Sequence, residues 1–163
     1  MVKVVVRHAE MSSLDDVVVV TGFRGAEVAA AVAGGRARIV DNPEYREGNM
    51  TSFRAGFAAL PDCHAYIVLL ADMPGVSSDM IDQIVEVWNG DEPWAAVSVY
   101  PDGRAHPLLL SGPAMEQAVR MEGAKGAWRF LDAAPAGRVI DIVFDQPMPV
   151  DVNTRADYDR LEI

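Results

Sequence analysis

The uninterrupted apolar run Tyr66–Leu70 (YIVLL) constrains the fold of this 163-residue chain more than any other feature. A strand that is apolar on both faces needs cover on both sides, so the run predicts a buried, central strand of a parallel sheet. Other short β-branched or apolar runs lie at 17–20, 37–40, 95–100, 107–110 and 138–144. Helical patterns separate most of these runs. The order predicts a single α/β domain over residues 1–163, with three layers and a mostly parallel sheet.

The segments between the runs carry helix signals. Two glycines end a helix predicted over 26–33, and Ser77 or Ser78 caps a helix that continues to Trp88. The other predicted helices span 50–60, 113–121 and 125–133, and the polar segment 41–49 is predicted to be a loop.

The last helix is predicted to begin at Asn153 or Thr154. Asp157 stands at the capping-box position after Thr154.

Charge and cysteine content exclude several classes of protein. Acidic residues outnumber basic ones by 24 to 14, with no Lys/Arg-rich stretch, so nucleic acids and anionic membranes are poor partners. The apolar stretch 1–6 is too short for a signal or membrane segment. Cys63 is the only cysteine, which excludes an internal disulfide and makes a cytoplasmic location the simplest expectation.

Asp72 is the first candidate functional residue. It follows the apolar run at the place where open α/β sheets bind ligands, and Pro74 turns the chain away. A carboxylate there suits Mg²⁺, although capping of the next turn is an equally good interpretation. Asp151 and Asn153 alternate along an extended segment and face one side, so they could complete a metal site with Asp72. N-capping by Asn153 is the alternative, and both roles can coexist.

Three glycine-containing segments hold the other candidates. The backbone N–H groups after Gly48 and the Ser52 hydroxyl could meet an anion or a base edge, but an ordinary helix cap is the simpler interpretation. A predicted turn brings Arg104 and His106 together, either to bind an anionic substrate or as a polar hairpin. Lys125 lies in a second turn and could reach a phosphate, although a solvated lysine is the commoner outcome.

Six segments in order resemble the MobA-like nucleotidyltransferases, and among them the molybdenum cofactor cytidylyltransferases. The order and spacing match from about residue 14 to the C-terminus. The matching segments are VVVVTG at 17–22, NP at 42–43 with GNMTSFRAG at 48–56, LLADMP at 69–74, RAHPLL at 104–109, GAKGA at 123–127 and DVNTRADY at 151–158.

The resemblance implies a Rossmann-like nucleotidyltransferase fold and a reaction. Asp72 would be the principal Mg²⁺ ligand, with Asn153 or Asp151 as the second. The metal would bridge the α-phosphate of a nucleoside triphosphate, with CTP favoured. The terminal phosphate of a molybdopterin cofactor would attack, and pyrophosphate would leave.

The resemblance also assigns the other candidates. Gly48 and Ser52 would lie near the nucleobase or ribose. Arg104, His106 and Lys125 would face the pterin phosphate, with Lys125 acting in catalysis beside Asp72. The implied partners are the triphosphate, the cofactor, a molybdoenzyme that receives it, and a second copy of this chain.

Two departures from the family pattern bear on activity. Ala124 stands where the family has an acid, and the family's opening "LAAGxSxRMG" phosphate loop has no counterpart in the sequence. The resemblance therefore describes a domain that is incomplete at its N-terminus, and whether it is an enzyme stays open. The alternatives are a non-catalytic or fragmentary pterin- or partner-binding remnant, and a transferase for another phosphorylated acceptor.

The first residues have two interpretations. Four valines within 2–6 favour a strand by propensity, and we predict a strand there. Alignment with the family favours the end of its first helix. In that case the sheet has a gap that another chain could fill.

Overall fold

The computed structural model describes residues 1–121, 130–131, 134 and 137–161. The helices are α1 (Val2–Met11), α2 (Gly25–Val32), α3 (Asn49–Ala59), α4 (Ser78–Asp91), α5 (Gly112–Val119) and α6 (Arg155–Asp159). The strands are β1 (Val18–Thr21), β2 (Arg38–Asp41), β3 (Ala65–Val68), β4 (Ala95–Tyr100), β5 (Gly103–Ser111) and β6 (Val139–Val143), and a 3-10 turn spans Tyr45–Glu47. The predicted alternation of strands and helices is confirmed. The predicted helix over 125–133 lies outside the described residues apart from Phe130 and Leu131.

The first element is a helix, so the strand predicted over 2–6 is wrong. Val5, Val6 and Ala9 are buried on one face of α1, while Lys3 and Arg7 are exposed. These apolar positions follow helical spacing, and their burial against the rest of the domain outweighs the β-propensity of valine.

The strands form two separate hydrogen-bonded sheets. In the smaller sheet β1 pairs with β2 in parallel. The larger sheet has the order β3-β5-β4-β6, in which β5 runs antiparallel to β3 and β4, and β4 runs parallel to β6. β5 begins at Gly103, so the predicted turn that contains Arg104 is already strand.

Helices cover both faces of the larger sheet. Val97 packs on one face with Ala114 of α5, and its neighbour Ala96 packs on the other with Ile84 of α4. Adjacent residues of a strand point to opposite faces, so β4 is covered on both sides and the three-layer prediction is confirmed. Among the described helices, none is both long and apolar enough to cross a membrane.

No ladder joins β1 to β3 in the part of the chain that the structure describes, although the same helices contact both strands. α3 lies against β1, and its Phe57 ring is 5.6 Å from the Tyr66 ring of β3. On the other side, Val17 and Ile67 share one apolar cluster with Ile81 of α4. The sheet is therefore split, as the helical interpretation of the first residues predicts.

The apolar run does not form a central parallel strand. Among the described strands, β3 ends the larger sheet and pairs only with antiparallel β5; apart from Tyr66, it is half-buried. Its two-sided apolar pattern correctly indicates cover by helices, but it says nothing about what pairs with its backbone edge.

Candidate active site

The loop after β3 holds Asp72 against the segment before α6. The N–H of Val152 donates a hydrogen bond to the Asp72 carbonyl at 2.9 Å. Met73 and Val76 are buried beneath the loop, and His8 Nδ1 donates to the Val76 carbonyl at 2.7 Å. Two distant parts of the sequence are thereby fixed side by side, with Asp72 and Asp151 at the junction.

The two carboxylates influence each other. Burial raises the pKa of Asp151, and the negative charge of Asp72 raises it further. A cation between them would remove this repulsion. Within the described ranges, no group of three or more His, Cys, Asp or Glu forms a ready-made metal cluster. Two carboxylates nevertheless suffice for Mg²⁺ when substrate phosphates supply other ligands, so these residues fit a divalent cation shared with a triphosphate.

Asn153 has a different environment from Asp151. Its backbone N–H donates to Asp157 Oδ2 at 3.3 Å, and Thr154 forms the predicted capping box with Asp157 at the start of α6. The structure therefore gives Asp151 the electrostatic contact with Asp72 and gives Asn153 a place in the helix cap. Of the two candidates for a second metal ligand, this arrangement favours Asp151.

His106 faces the same site from β5. Burial lowers its pKa to about 4, against the opposing influence of the negative Asp72. The imidazole is therefore neutral at pH 7 and can meet a ligand through a hydrogen bond rather than through charge. Its backbone carbonyl accepts from the Tyr100 hydroxyl at 2.9 Å, and its peptide bond to Pro107 is cis.

An open depression of about 460 Å³ adjoins these residues. Its lining includes Leu70, Met73, Arg104, His106, Met148 and Asp151. We call Asp72 and the three polar residues Arg104, His106 and Asp151 the strand-end site. Apolar walls with a few convergent polar groups are typical of small-molecule sites.

Arg104 already has an ionic partner. Its Nη2 lies 2.7 and 3.0 Å from the two carboxylate oxygens of Asp141 on β6. Both side chains are about half exposed, at 52% and 45%. To bind a substrate phosphate, Arg104 would have to share or leave this exposed pair.

Gly48 and Ser52 lie at the beginning of α3, and Ser52 contacts a residue that does not belong to the strand-end site. Gly48 is the N-cap with φ of 118°, a left-handed backbone conformation that favours glycine, and no side chain caps the helix. The segment therefore does begin the helix, with Gly48 as its cap residue and without a capping bond from Ser52. Ser52 instead accepts a hydrogen bond from Asn42, which also contacts Thr51. We call Asn42, Gly48, Thr51 and Ser52 the α3 cluster.

Sequence reasoning missed three polar residues at the ends of β1 and β2. Thr21 and Asp41 are opposite each other in the parallel register, and Asn42 follows directly. Asp72 is a candidate because it follows a predicted strand, where open α/β sheets bind ligands. The same criterion, applied to the first two strands, also selects these three residues. Lys125 lies outside the described residues.

Most of the chain is similar to known proteins. The family profile described as "MobA-like NTP transferase domain" matches residues 1–139. The molybdenum cofactor cytidylyltransferase of Escherichia coli is 30% identical over 105 residues, which are 64% of this chain and 53% of that protein. The chain thus matches about half the length of that relative.

Solved structures of a Mycobacterium tuberculosis protein are also similar. Rv0371c is 26% identical with a TM-score of 0.84, covering 98% of this chain and 81% of that one. Its manganese complex is 25% identical with a TM-score of 0.79, covering 98% and 83%. These similarities confirm the predicted nucleotidyltransferase fold.

Proposed function

The chain belongs to the MobA-like NTP transferase family, and we propose that it transfers a nucleoside monophosphate from a nucleoside triphosphate to the terminal phosphate of a molybdopterin-type cofactor. The observation that carries this proposal is the hydrogen bond from Val152 to the Asp72 carbonyl, which brings Asp72 and Asp151 together beside an open depression. CTP is the proposed donor because a matching relative is a cytidylyltransferase.

The proposed reaction is a displacement at the α-phosphorus. An oxygen of the acceptor phosphate forms the new P–O bond, the bond to the β-phosphate breaks, and pyrophosphate leaves with the electron pair. Mg²⁺ would neutralise charge on the phosphates. Asp72, with Asp151 as its partner, would hold the cation and orient the triphosphate. A manganese complex of a similar structure supports a divalent metal in this fold.

The remaining strand-end residues would position the acceptor. Neutral His106 would line the acceptor side of the depression, and Arg104 can present a positive charge beside it. Gly48 and Ser52, at the beginning of α3, would receive the nucleoside part. Lys125 stays a proposed catalytic residue on the basis of the family resemblance alone, as does Asn153 as an alternative metal ligand.

The proposed setting is the cytoplasm, because a chain with one cysteine needs no oxidising compartment. A molybdoenzyme that takes the product is a proposed partner. A second copy of the chain is another, since open strand edges invite pairing.

A second candidate function is binding of the pterin or of a partner protein without transfer. The split between β1 and β3 favours it, because no ladder among the described residues fixes the strand-end site of the larger sheet relative to Gly48 and Ser52 beside the smaller one, and transfer needs both groups to hold one reacting pair.

Calorimetric titration with CTP and GTP, each with and without Mg²⁺, tests the proposal. Micromolar binding that requires Mg²⁺ is the expected result, and the preferred base would identify the donor. A folded sample that binds neither nucleotide contradicts the transferase. Retained binding of a pterin phosphate by such a sample supports the second candidate.

A further inference from the structure

Asn42 joins the end of β2 to the first turn of α3 and is buried, with 3% exposure. Its side-chain nitrogen donates to Thr51 Oγ1 at 2.8 Å and to Ser52 Oγ at 3.1 Å. Its side-chain oxygen accepts the N–H of Glu44 at 3.1 Å. Because a backbone N–H can only donate, this contact fixes which amide atom is the oxygen. Both amide hydrogens are therefore directed at hydroxyl oxygens.

The two hydroxyl groups differ in their other hydrogen bonds. The Thr51 hydroxyl accepts from Asn42 and donates to the Gly48 carbonyl at 2.8 Å, so its hydrogen bonding is complete within the protein. The Ser52 hydroxyl also accepts from Asn42, but its own hydrogen has no protein acceptor among the described residues. Since Asn42 occupies its acceptor side with an N–H, Ser52 can act toward a ligand as a donor.

Open space lies beside Gly48 at the start of α3, because a Cβ added there would meet nothing within 4 Å. The first turn of α3 has no acidic side chain, while the exposed Glu44 and Glu47 lie just before the helix.

We propose that Asn42 is a positioning residue that fixes Ser52 as a hydrogen-bond donor to an acceptor atom of the bound nucleotide. The inference rests on the proposed function, because it requires Gly48 and Ser52 to receive the nucleotide. Asn42 itself does not touch the ligand and acts only through Ser52.

Asn42→Asp is the informative variant. A carboxylate has the same shape but only accepts, so Thr51 and Ser52 would both turn their hydrogens toward it. The ligand then loses its donor while the buried contacts survive. We expect nucleotide affinity to fall about tenfold, the effect of one lost hydrogen bond. Ser52→Ala should show the same loss, and adding Asn42→Asp to it should cause no further loss.

Thr51→Val is the matched control. It removes the other hydroxyl that Asn42 contacts, so we expect a lower melting temperature with nucleotide affinity unchanged. If Thr51→Val weakens binding as much as Asn42→Asp does, Asn42 has only a structural role and the inference is wrong. Additive losses in the Asn42/Ser52 double variant would also overturn it.

The choice of probe identifies the acceptor. A loss seen with CTP and CMP but not with inorganic tripolyphosphate assigns it to the base or ribose, and a loss with tripolyphosphate assigns it to a phosphate. Wild-type protein that binds no nucleotide overturns the proposed function together with this inference. Wild-type protein that binds, beside an Asn42→Asp variant that binds equally well, overturns the inference alone.

Discussion

Asp72 and Asp151 bring two negative charges together in a protein that already carries a formal charge of −10. Burial is the larger cause of the raised pKa of Asp151, and the negative charge of Asp72 adds to it. Carboxyl groups with shifted pKa values are common at ligand-binding sites. At the scale of single residues, the strand-end site is therefore expected to respond to metal and to pH.

Asp72→Asn should remove the Mg²⁺ dependence of nucleotide binding while the fold stays intact. The amide keeps the shape but loses the charge that attracts the cation. It also removes one of the two influences that raise the pKa of Asp151, so that pKa should fall. Calorimetric titration and NMR titration of the Asp151 carboxyl measure the two effects.

Asp62→Asn is the control for Asp72→Asn, because it makes the same charge change in an exposed loop. It should bind Mg²⁺-nucleotide as the wild type does. If Asp72→Asn also retains Mg²⁺-dependent affinity, Asp72 is not a metal ligand.

His106 should make the protein less stable in mild acid. Its folded-state pKa of about 4 lies below its unfolded value near 6.5, so only the unfolded chain takes up the proton between these values. The contribution of His106 to the free energy of unfolding is complete above about pH 6.5 and is lost as the pH falls toward 4. Because of this residue, we expect the free energy of unfolding to be roughly 2 kcal/mol lower at pH 4.5 than at pH 7.

Urea unfolding of wild type and His106→Gln across this pH range, without metal, measures the effect. The variant should lose less stability on acidification than the wild type. Asp151, whose pKa is raised, acts in the opposite direction, so the difference between the two proteins is the relevant quantity. His64→Gln, at an exposed loop position, should follow the wild type. Parallel curves for wild type and His106→Gln would show that burial does not shift this histidine.

At the scale of elements, the start of α4 shows how the structure resolves an ambiguity of the sequence. Ser77 and Ser78 are both good N-caps by residue type. Ser77 has the extended backbone of an N-cap, and its side chain accepts from the Met80 N–H at 3.3 Å. Ser78 is already the first helical residue. The helix that Ser77 begins buries Met80 and Ile81, and Ile81 packs with Met73 and Val76 of the Asp72 loop.

Ser77→Ala should therefore lower the free energy of unfolding by about 1 kcal/mol, the usual effect of a lost N-cap. Ser78→Ala is the matched control and should change it by less than about 0.5 kcal/mol. Chemical denaturation of the two variants measures the difference. Equal losses would show that the two serines share the cap in solution.

At the scale of the whole molecule, the split between the two sheets is the dominant feature. β4 is hydrogen-bonded on both sides, by β5 and β6, whereas β1 and β3 each have one partner strand among the described residues. α3 packs against both strands, and α4 packs against β3 and against Val17 just before β1, but one backbone edge of each strand has no ladder among the described residues. An open edge can pair with another extended segment.

Hydrogen exchange should reflect this arrangement. The amides of β4 should exchange slowest, and those of β1 and β3 should exchange faster because their second edge is unpaired. Mass spectrometry or NMR at several protein concentrations measures this. Protection of β1 equal to that of β4 at low concentration would contradict an open gap. Protection that rises with concentration would show that a second copy pairs there.

Several features of this protein follow from the sequence alone. Periodicity located almost every described element, because the spacing of apolar residues decides which faces can be buried. Position after an apolar run selected Asp72, and the spacing of Thr154 and Asp157 predicted the capping box. The ordered motifs identified the family. Each of these features depends on residues that are close in sequence, or on the order of motifs along the chain.

Tertiary structure decided the rest, because it depends on contacts between residues far apart in sequence. Burial of Val5, Val6 and Ala9 made the first residues a helix against the propensity of valine. Strand pairing made β3 an end strand, since an apolar pattern describes the faces of a strand and not its edges. The bond from Val152 to Asp72 brought the segment before α6 against the loop after β3. The hydrogen bond from Asn42 to Ser52 joined the end of β2 to α3, which no spacing along the chain could predict.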